Sequence, residues 1–142
     1  MPPCRRAVRL SAQLAVVTLV GVAASACSNQ QAPVNRGPHE GSATASLVAG
    51  VQQVLVQAGD TFRFAPSTIT VHPGTVRIVL ANVGQGAPHN WTLASLGVGT
   101  PLTAAGRSAA VTFTAPAPGT YTYVCTIHEK QGQTGTLFVL AR

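Results

Sequence analysis

Acidic residues are nearly missing from this chain. Three Asp and Glu stand against nine Lys and Arg in 142 residues, and charged residues make up only 8%. So little charge excludes a disordered polyelectrolyte and a coiled coil, both of which carry charge along their length. The net charge of +6 invites a nucleic-acid partner, but a basic cluster is missing as well. Arg5, Arg6 and Arg9 crowd the first nine residues and the other basic side chains are scattered. No stripe can track a phosphate backbone, so no nucleic acid is expected. Sustained helical periodicity is absent too. Methionine is represented by Met1 alone, and cysteine by Cys4, Cys27 and Cys125. What the chain does have is 46% hydrophobic residues punctuated by 14 Gly and 10 Pro, a pattern of short strands joined by turns.

Residues 1–26 read as a secretory signal peptide. The three arginines form a positive leader, and Leu10 to Ala24 is an apolar stretch interrupted only by Ser11, Gln13 and Thr18. Its fifteen residues fall short of the roughly 20 that cross a bilayer. Ala24-Ser25-Ala26 then leads into Cys27, which resembles the bacterial lipobox, whose cysteine is lipidated and becomes the mature N-terminus. Ordinary secretion with cleavage near Ala26 is the alternative; the surroundings of Arg5-Arg6 match twin-arginine export poorly. Residues 27–46 are polar, hold Pro33, Gly37, Pro38 and Gly41, and read as a flexible tether in which His39 is solvated. With Cys4 in the signal and Cys27 at the anchor, Cys125 is the single cysteine of the folded part, so no disulfide forms within it.

Residues 47–142 carry the domain. Strand signals recur at Val51–Val56, Phe62–Phe64, Ile69–Val71, Val76–Leu80, His89–Leu93, Val111–Phe113, Tyr121–Cys125 and Thr136–Leu140. About seven or eight strands at this density predict an all-β antiparallel sandwich.

Fold class alone says nothing about activity, but the ligand-type residues do. Cys125 and His128 flank Thr126-Ile127 at the end of an alternating strand, where a tight turn brings a thiolate and an imidazole towards one point. His89 lies 36 residues upstream, after a Gly-Ala-Pro turn and at the start of another strand. His72, ahead of Pro73-Gly74, reads as a plain turn residue. Structural zinc wants four good ligands, and only three are present unless Glu129 doubles back. A Cys–His nucleophile dyad lacks an Asn or Asp in place to orient the imidazole. One thiolate with two imidazoles suits copper, held in a trigonal plane with a weak axial donor.

These residues resemble the cupredoxins, the plastocyanin, pseudoazurin and amicyanin type of blue copper protein. The family pattern is an upstream His-Asn and a downstream Cys-x-x-His-x-x-x-Gly-Met-x-Gly. Pro88-His89-Asn90 and the run from Cys125 to Gly135 reproduce both blocks with one change. Phe62–Pro66 and Thr70–Thr75 also resemble the family's early strands, so the likeness spans the domain. It implies a Greek-key sandwich and one type 1 copper ion held by His89 Nδ1, Cys125 Sγ and His128 Nδ1. It also implies that Asn90 links the two ligand loops through Thr126 and the Cys125 sulfur. The departure is Gln133 in the methionine position. Gln133 is the expected axial donor, and Gln131 is the less favoured alternative because only Gln133 keeps Gly132 and Gly135 on either side.

The N-terminal pattern and the resemblance together give the expectation of an exported, membrane-anchored one-electron carrier rather than an enzyme, and a monomer is expected. Redox proteins of the cell envelope would be its partners, docking through a small apolar patch, with His128 as the electron port. The rival is copper storage or delivery on the same ligands, for which Met-rich or His-rich tracts are missing. A metal-free interaction domain is disfavoured by the intact ligand residues. A multicopper oxidase is disfavoured because the sequence has no His-x-His pair.

Overall fold

The computed structural model describes residues 41–142; the expected signal segment, Cys27 and most of the tether lie outside the described residues. Eleven strands follow one another: β1 (Ser42–Thr44), β2 (Ser46–Val48), β3 (Val51–Ala58), β4 (Phe64–Ala65), β5 (Thr68–Val71), β6 (Thr75–Asn82), β7 (Thr92–Leu93), β8 (Val98–Gly99), β9 (Ser108–Thr114), β10 (Gly119–Val124) and β11 (Thr134–Val139). One sheet runs β1-β5-β11-β10-β7-β8, and the other β2-β3-β6-β9 with β4 also paired to β3. The all-β sandwich is therefore present. No helix among the described residues is long and apolar enough to cross a membrane.

Alternation sets the inner faces. Val54, Val56 and Ala58 of β3 and Val76, Ile78 and Leu80 of β6 are buried while Leu55 and Arg77 between them are exposed. Ile69, Val71, Leu137 and Val139 do the same from the other sheet, and all of them join one hydrophobic cluster with Phe64, Trp91 and Tyr123. Each large side chain buried there contributes about 1.5–3 kcal/mol. The Trp91 ring lies 5.2 Å from Tyr123 and 5.8 Å from Phe113 by centroid, so aromatic packing closes the centre of the sandwich.

Three expectations need correction. The sheets are mixed rather than antiparallel: β1 with β5, β5 with β11, and β3 with β6 run parallel. A parallel pair needs a crossover, and here the chain leaves β3, contributes β5 to the opposite sheet, and returns as β6. The strand number exceeds seven or eight because β1, β2, β4, β7 and β8 have two or three residues each, too few to show a period. Folded structure also begins before Leu47. β1 lies within the segment read as tether, pairs Ala43 with Ile69, and is followed by Ala45 N–H donating to the Thr70 carbonyl at 2.9 Å. Its Ser, Ala and Thr side chains are small and carry no apolar alternation.

Candidate metal centre

The metal-type residues collect at one pole, where β10 ends and β11 begins. The β10–β11 ladder pairs Val124 with Thr134, and Cys125 N–H donates to the Gln133 carbonyl at 3.0 Å, one step further on. Between them the chain folds through tight turns. His128 N–H donates to the Cys125 carbonyl at 3.1 Å, Gly132 N–H to the Glu129 carbonyl at 2.9 Å, and Gln133 N–H to the His128 carbonyl at 3.1 Å. Gly132 closes the turn in the left-handed region at φ +87°, a conformation that glycine adopts without a Cβ penalty.

His89 arrives from the other side. It exchanges two backbone hydrogen bonds with Thr103, at 3.0 and 2.7 Å. The loop before it is pinned twice. Asn82, buried at the end of β6, donates from Nδ2 to the Ala87 and Thr103 carbonyls at 2.8 and 2.9 Å. Asp60 accepts from Gln85 N–H at 2.9 Å and Gly86 N–H at 3.3 Å. Those two amides hold the Asp60 carboxyl below its ordinary range.

The side chains then converge. Cys125 Sγ lies 3.5 Å from His128 Nδ1 and 4.0 Å from His89 Nδ1, and the two imidazole nitrogens are 3.2 Å apart. Bonds of about 2.0–2.3 Å at trigonal angles would separate such atoms by roughly 3.5–3.8 Å, so the observed spacings bracket that triangle. Gln133 Oε1 is 2.9 Å from His89 Nδ1. His89, Cys125 and Gln133 are fully buried, whereas His128 is half-exposed. Burial first, and the neighbouring His128 charge second, push the His89 pKa down, against the hydrogen bond to Gln133. The shift favours the neutral imidazole, the form that can ligate a metal. Gln131 is exposed.

Two imidazole nitrogens and a cysteine sulfur within 4.8 Å of one another, with an amide oxygen beside His89 Nδ1, form a polar set that a cation would satisfy. The soft thiolate with imidazoles fits a type 1 copper ion. Asn90 ties the two ligand loops together: its Oδ1 accepts from Thr126 N–H at 2.9 Å and its Nδ2 donates to Thr126 Oγ1 at 3.1 Å. Among the described residues both of these links run to Thr126, and no hydrogen bond runs from Asn90 to the Cys125 sulfur. Sequence reading missed Asp60, Asn82 and Thr103, which hold the His89 loop; no spacing marks them. It also placed Phe62–Phe64 in a strand. Phe62 instead sits in a turn at φ +54°, with its ring against both imidazoles, 4.4 Å from that of His128 and 6.1 Å from that of His89.

A two-sheet β-sandwich with one cysteine sulfur and two imidazoles gathered at its pole defines a small copper protein of the type 1 class. The cupredoxin-like domain family matches residues 16–139, and the chain belongs to that family. No curated protein sequence matches the chain. Among solved structures it is similar to auracyanin A, a "blue" copper protein of Chloroflexus aurantiacus. The two share 26% identity over 63% of this chain and 99% of that one, at a TM-score of 0.55. Auracyanin from Roseiflexus castenholzii gives 23% identity, coverage of 61% and 95%, and a TM-score of 0.55. The metal-binding domain of the Streptococcus pneumoniae D39 Cu(I)-exporting P-type ATPase CopA gives 20% identity, coverage of 73% and 99%, and a TM-score of 0.58. The last two likenesses speak for the fold alone.

Proposed function

We propose that this protein is a one-electron carrier that cycles a single copper ion between Cu(I) and Cu(II) and does no bond chemistry on a substrate. The observation that carries the reading is the convergence of His89, Cys125 and His128 onto one point, with backbone and Asn90 hydrogen bonds fixing the loops that hold them. Bound there, copper would supply a reversible one-electron couple. The protein would contribute a site that moves little between oxidation states, because its loops are held independently of the ion. Gln133 Oε1, beside His89, is the proposed axial donor. The likeness to auracyanin A, described as a blue copper protein, supports the same reading.

The half-exposed His128 is the proposed electron port. Ile127 beside it in sequence and Leu102 beside Thr103 are 45% and 53% exposed, which supports an apolar docking patch for redox proteins of the cell envelope. Export and anchoring through Cys27 rest on the sequence pattern of residues 1–27. A Cys27→Ala form should lose its lipid and become soluble; wild-type protein without acyl mass would point to plain secretion.

The decisive experiment is a visible spectrum of the copper-loaded protein, followed by an electron self-exchange measurement. An intense band in the red, lost in Cys125→Ser, together with fast exchange supports the carrier. A red band with slow exchange favours storage or delivery on the same ligands. No band refutes the copper–thiolate site.

A further inference from the structure

Phe62 and Arg63 belong to the turn before β4, in the opposite sheet from the Cys125–Gln133 loop, yet both reach the metal pole. We propose that these two residues form a bracket that fastens the ligand loop and covers the imidazoles, and so determine how firmly the site retains its ion. The inference rests on the copper reading above for its metal and on the loop contacts alone for its mechanics.

Arg63 supplies the fastening. Its Nη1 donates to the Gln131 carbonyl at 2.7 Å across 68 residues of sequence, and to the Phe62 carbonyl at 2.7 Å. A Cβ built on Gly132 would meet Arg63 Nη1, Cζ and Nη2 at 3.3, 3.5 and 3.5 Å. Three nearly equal distances mean that the guanidinium lies flat against that residue. A planar fork that stacks on backbone while donating to a carbonyl is specific to arginine, and lysine cannot reproduce both contacts. Among the described residues Arg63 Nε is buried without a partner, so the side chain gives up hydration to hold this pose.

Phe62 supplies the cover. Its backbone occupies the left-handed region at φ +54°, an uncommon and unfavourable conformation for a phenylalanine. The turn is closed by Phe62 N–H donating to the Gly59 carbonyl at 3.0 Å. In that conformation the ring lies tilted by 36° over His128, centroids 4.4 Å apart, and meets the His89 ring at 62°. His128 is the one half-exposed member of the donor triad, so the ring sits over the donor with the most solvent access. Phe62 positions the imidazole and sheds water; Arg63, through the Phe62 carbonyl and the Gln131 carbonyl, ties that cover to the loop it protects. Neither residue is proposed as a ligand.

Two measurements test this, one without metal. In the metal-free protein, Arg63→Met should speed amide hydrogen exchange at Gln131, Gly132 and Gln133 by roughly 10-fold or more while the β3 and β6 amides stay protected. Arg63→Lys should recover part of that protection. In the copper-loaded protein, Phe62→Ala and the milder Phe62→Leu should be stripped by a chelator roughly 10-fold to 100-fold faster than wild type. Azide should perturb their visible spectra but not that of wild type. Arg77→Met, on the outer face of β6, should change neither readout. Wild-type exchange in Arg63→Met together with wild-type stripping in both Phe62 variants would overturn the bracket. If wild type binds no copper but Arg63→Met still frees the loop, the fastening stands and the copper reading is what fails.

Discussion

Asn90→Ala removes a side chain that ties the two ligand loops together. Two links go with it, Thr126 N–H donating to Oδ1 at 2.9 Å and the Thr126 hydroxyl held by the amide, 3.1 Å from Nδ2 and 3.3 Å from Oδ1. Asn90 is 8% exposed, but Thr126 is open to solvent, so water can replace part of what Thr126 loses. At about 0.5–1.5 kcal/mol net per hydrogen bond, the pair is worth about 2 kcal/mol. For a domain of about 100 residues each kcal/mol moves Tm by about 4–8 °C, so the metal-free variant should melt about 8–16 °C below wild type. Thr126→Ala breaks only the hydroxyl link and should cost about half as much. Copper affinity should fall roughly 10-fold to 100-fold in Asn90→Ala, because the Cys125–His128 loop loses its tie to the His89 loop. Calorimetry on the metal-free variants and competition with a copper chelator read the two effects separately. An Asn90→Ala protein that melts and binds like wild type would refute the reasoning, since it would show that the loops hold their places without the bridge.

Gly135→Ala should destabilise the domain by about 1–3 kcal/mol, as judged by urea denaturation, because the new methyl would run into the buried ring of Tyr123. Metal-free stability should fall as pH drops below about 6.5: burial lowers the pKa of His89 in the fold, so the unfolded chain takes up the extra proton and gains from acidification. A second loss should follow at lower pH, as the fall through the depressed pKa of Asp60 removes its bonds to Gln85 and Gly86. Asp60→Asn should abolish that second step in denaturation curves taken across the pH range.

The longer strands were legible because each carries a clear two-residue period. β3, β6 and β11 bury every second residue, and that is a property of sequence alone. The donor triad was legible because Cys125-x-x-His128 is local and because the turn-then-strand context of His89 restricts where its side chain can go. What escaped is what depends on the other sheet. Asn82 and Asp60 hold the His89 loop across 5 to 26 residues through backbone atoms, and a backbone partner has no sequence signature. Phe62 looked like one beat of an alternating strand, but the chain turns there before β4 begins at Phe64. The parallel pairing of β3 with β6 was invisible for a related reason. Alternation reports which face a residue takes and says nothing about a neighbour's direction.

The choice between Gln133 and Gln131 as axial donor shows what the ladder adds to a motif. On a β ladder, residues directly opposite one another share a face. Tyr123 stands opposite Gly135 and points into the core, and the Gly135 position is bare because the Tyr123 ring occupies that space. Two residues on, the same parity sends Cys125 inward, and the residue facing it across the continued ladder is Gln133, whose carbonyl accepts from Cys125 N–H. Gln131 has the same parity in number but lies in the turn beyond the ladder, where its side chain is exposed. An amide oxygen is a harder donor than a thioether and favours Cu(II), so Gln133→Met should raise the reduction potential. A shift of about 59 mV corresponds to a 10-fold change in the one-electron equilibrium, and at least that much is expected from exchanging a ligand atom. Gln131→Met should move it far less. Voltammetry on both variants decides the matter: the reverse order would place Gln131 on the copper, and no change in either would leave the axial position to a backbone carbonyl or to nothing.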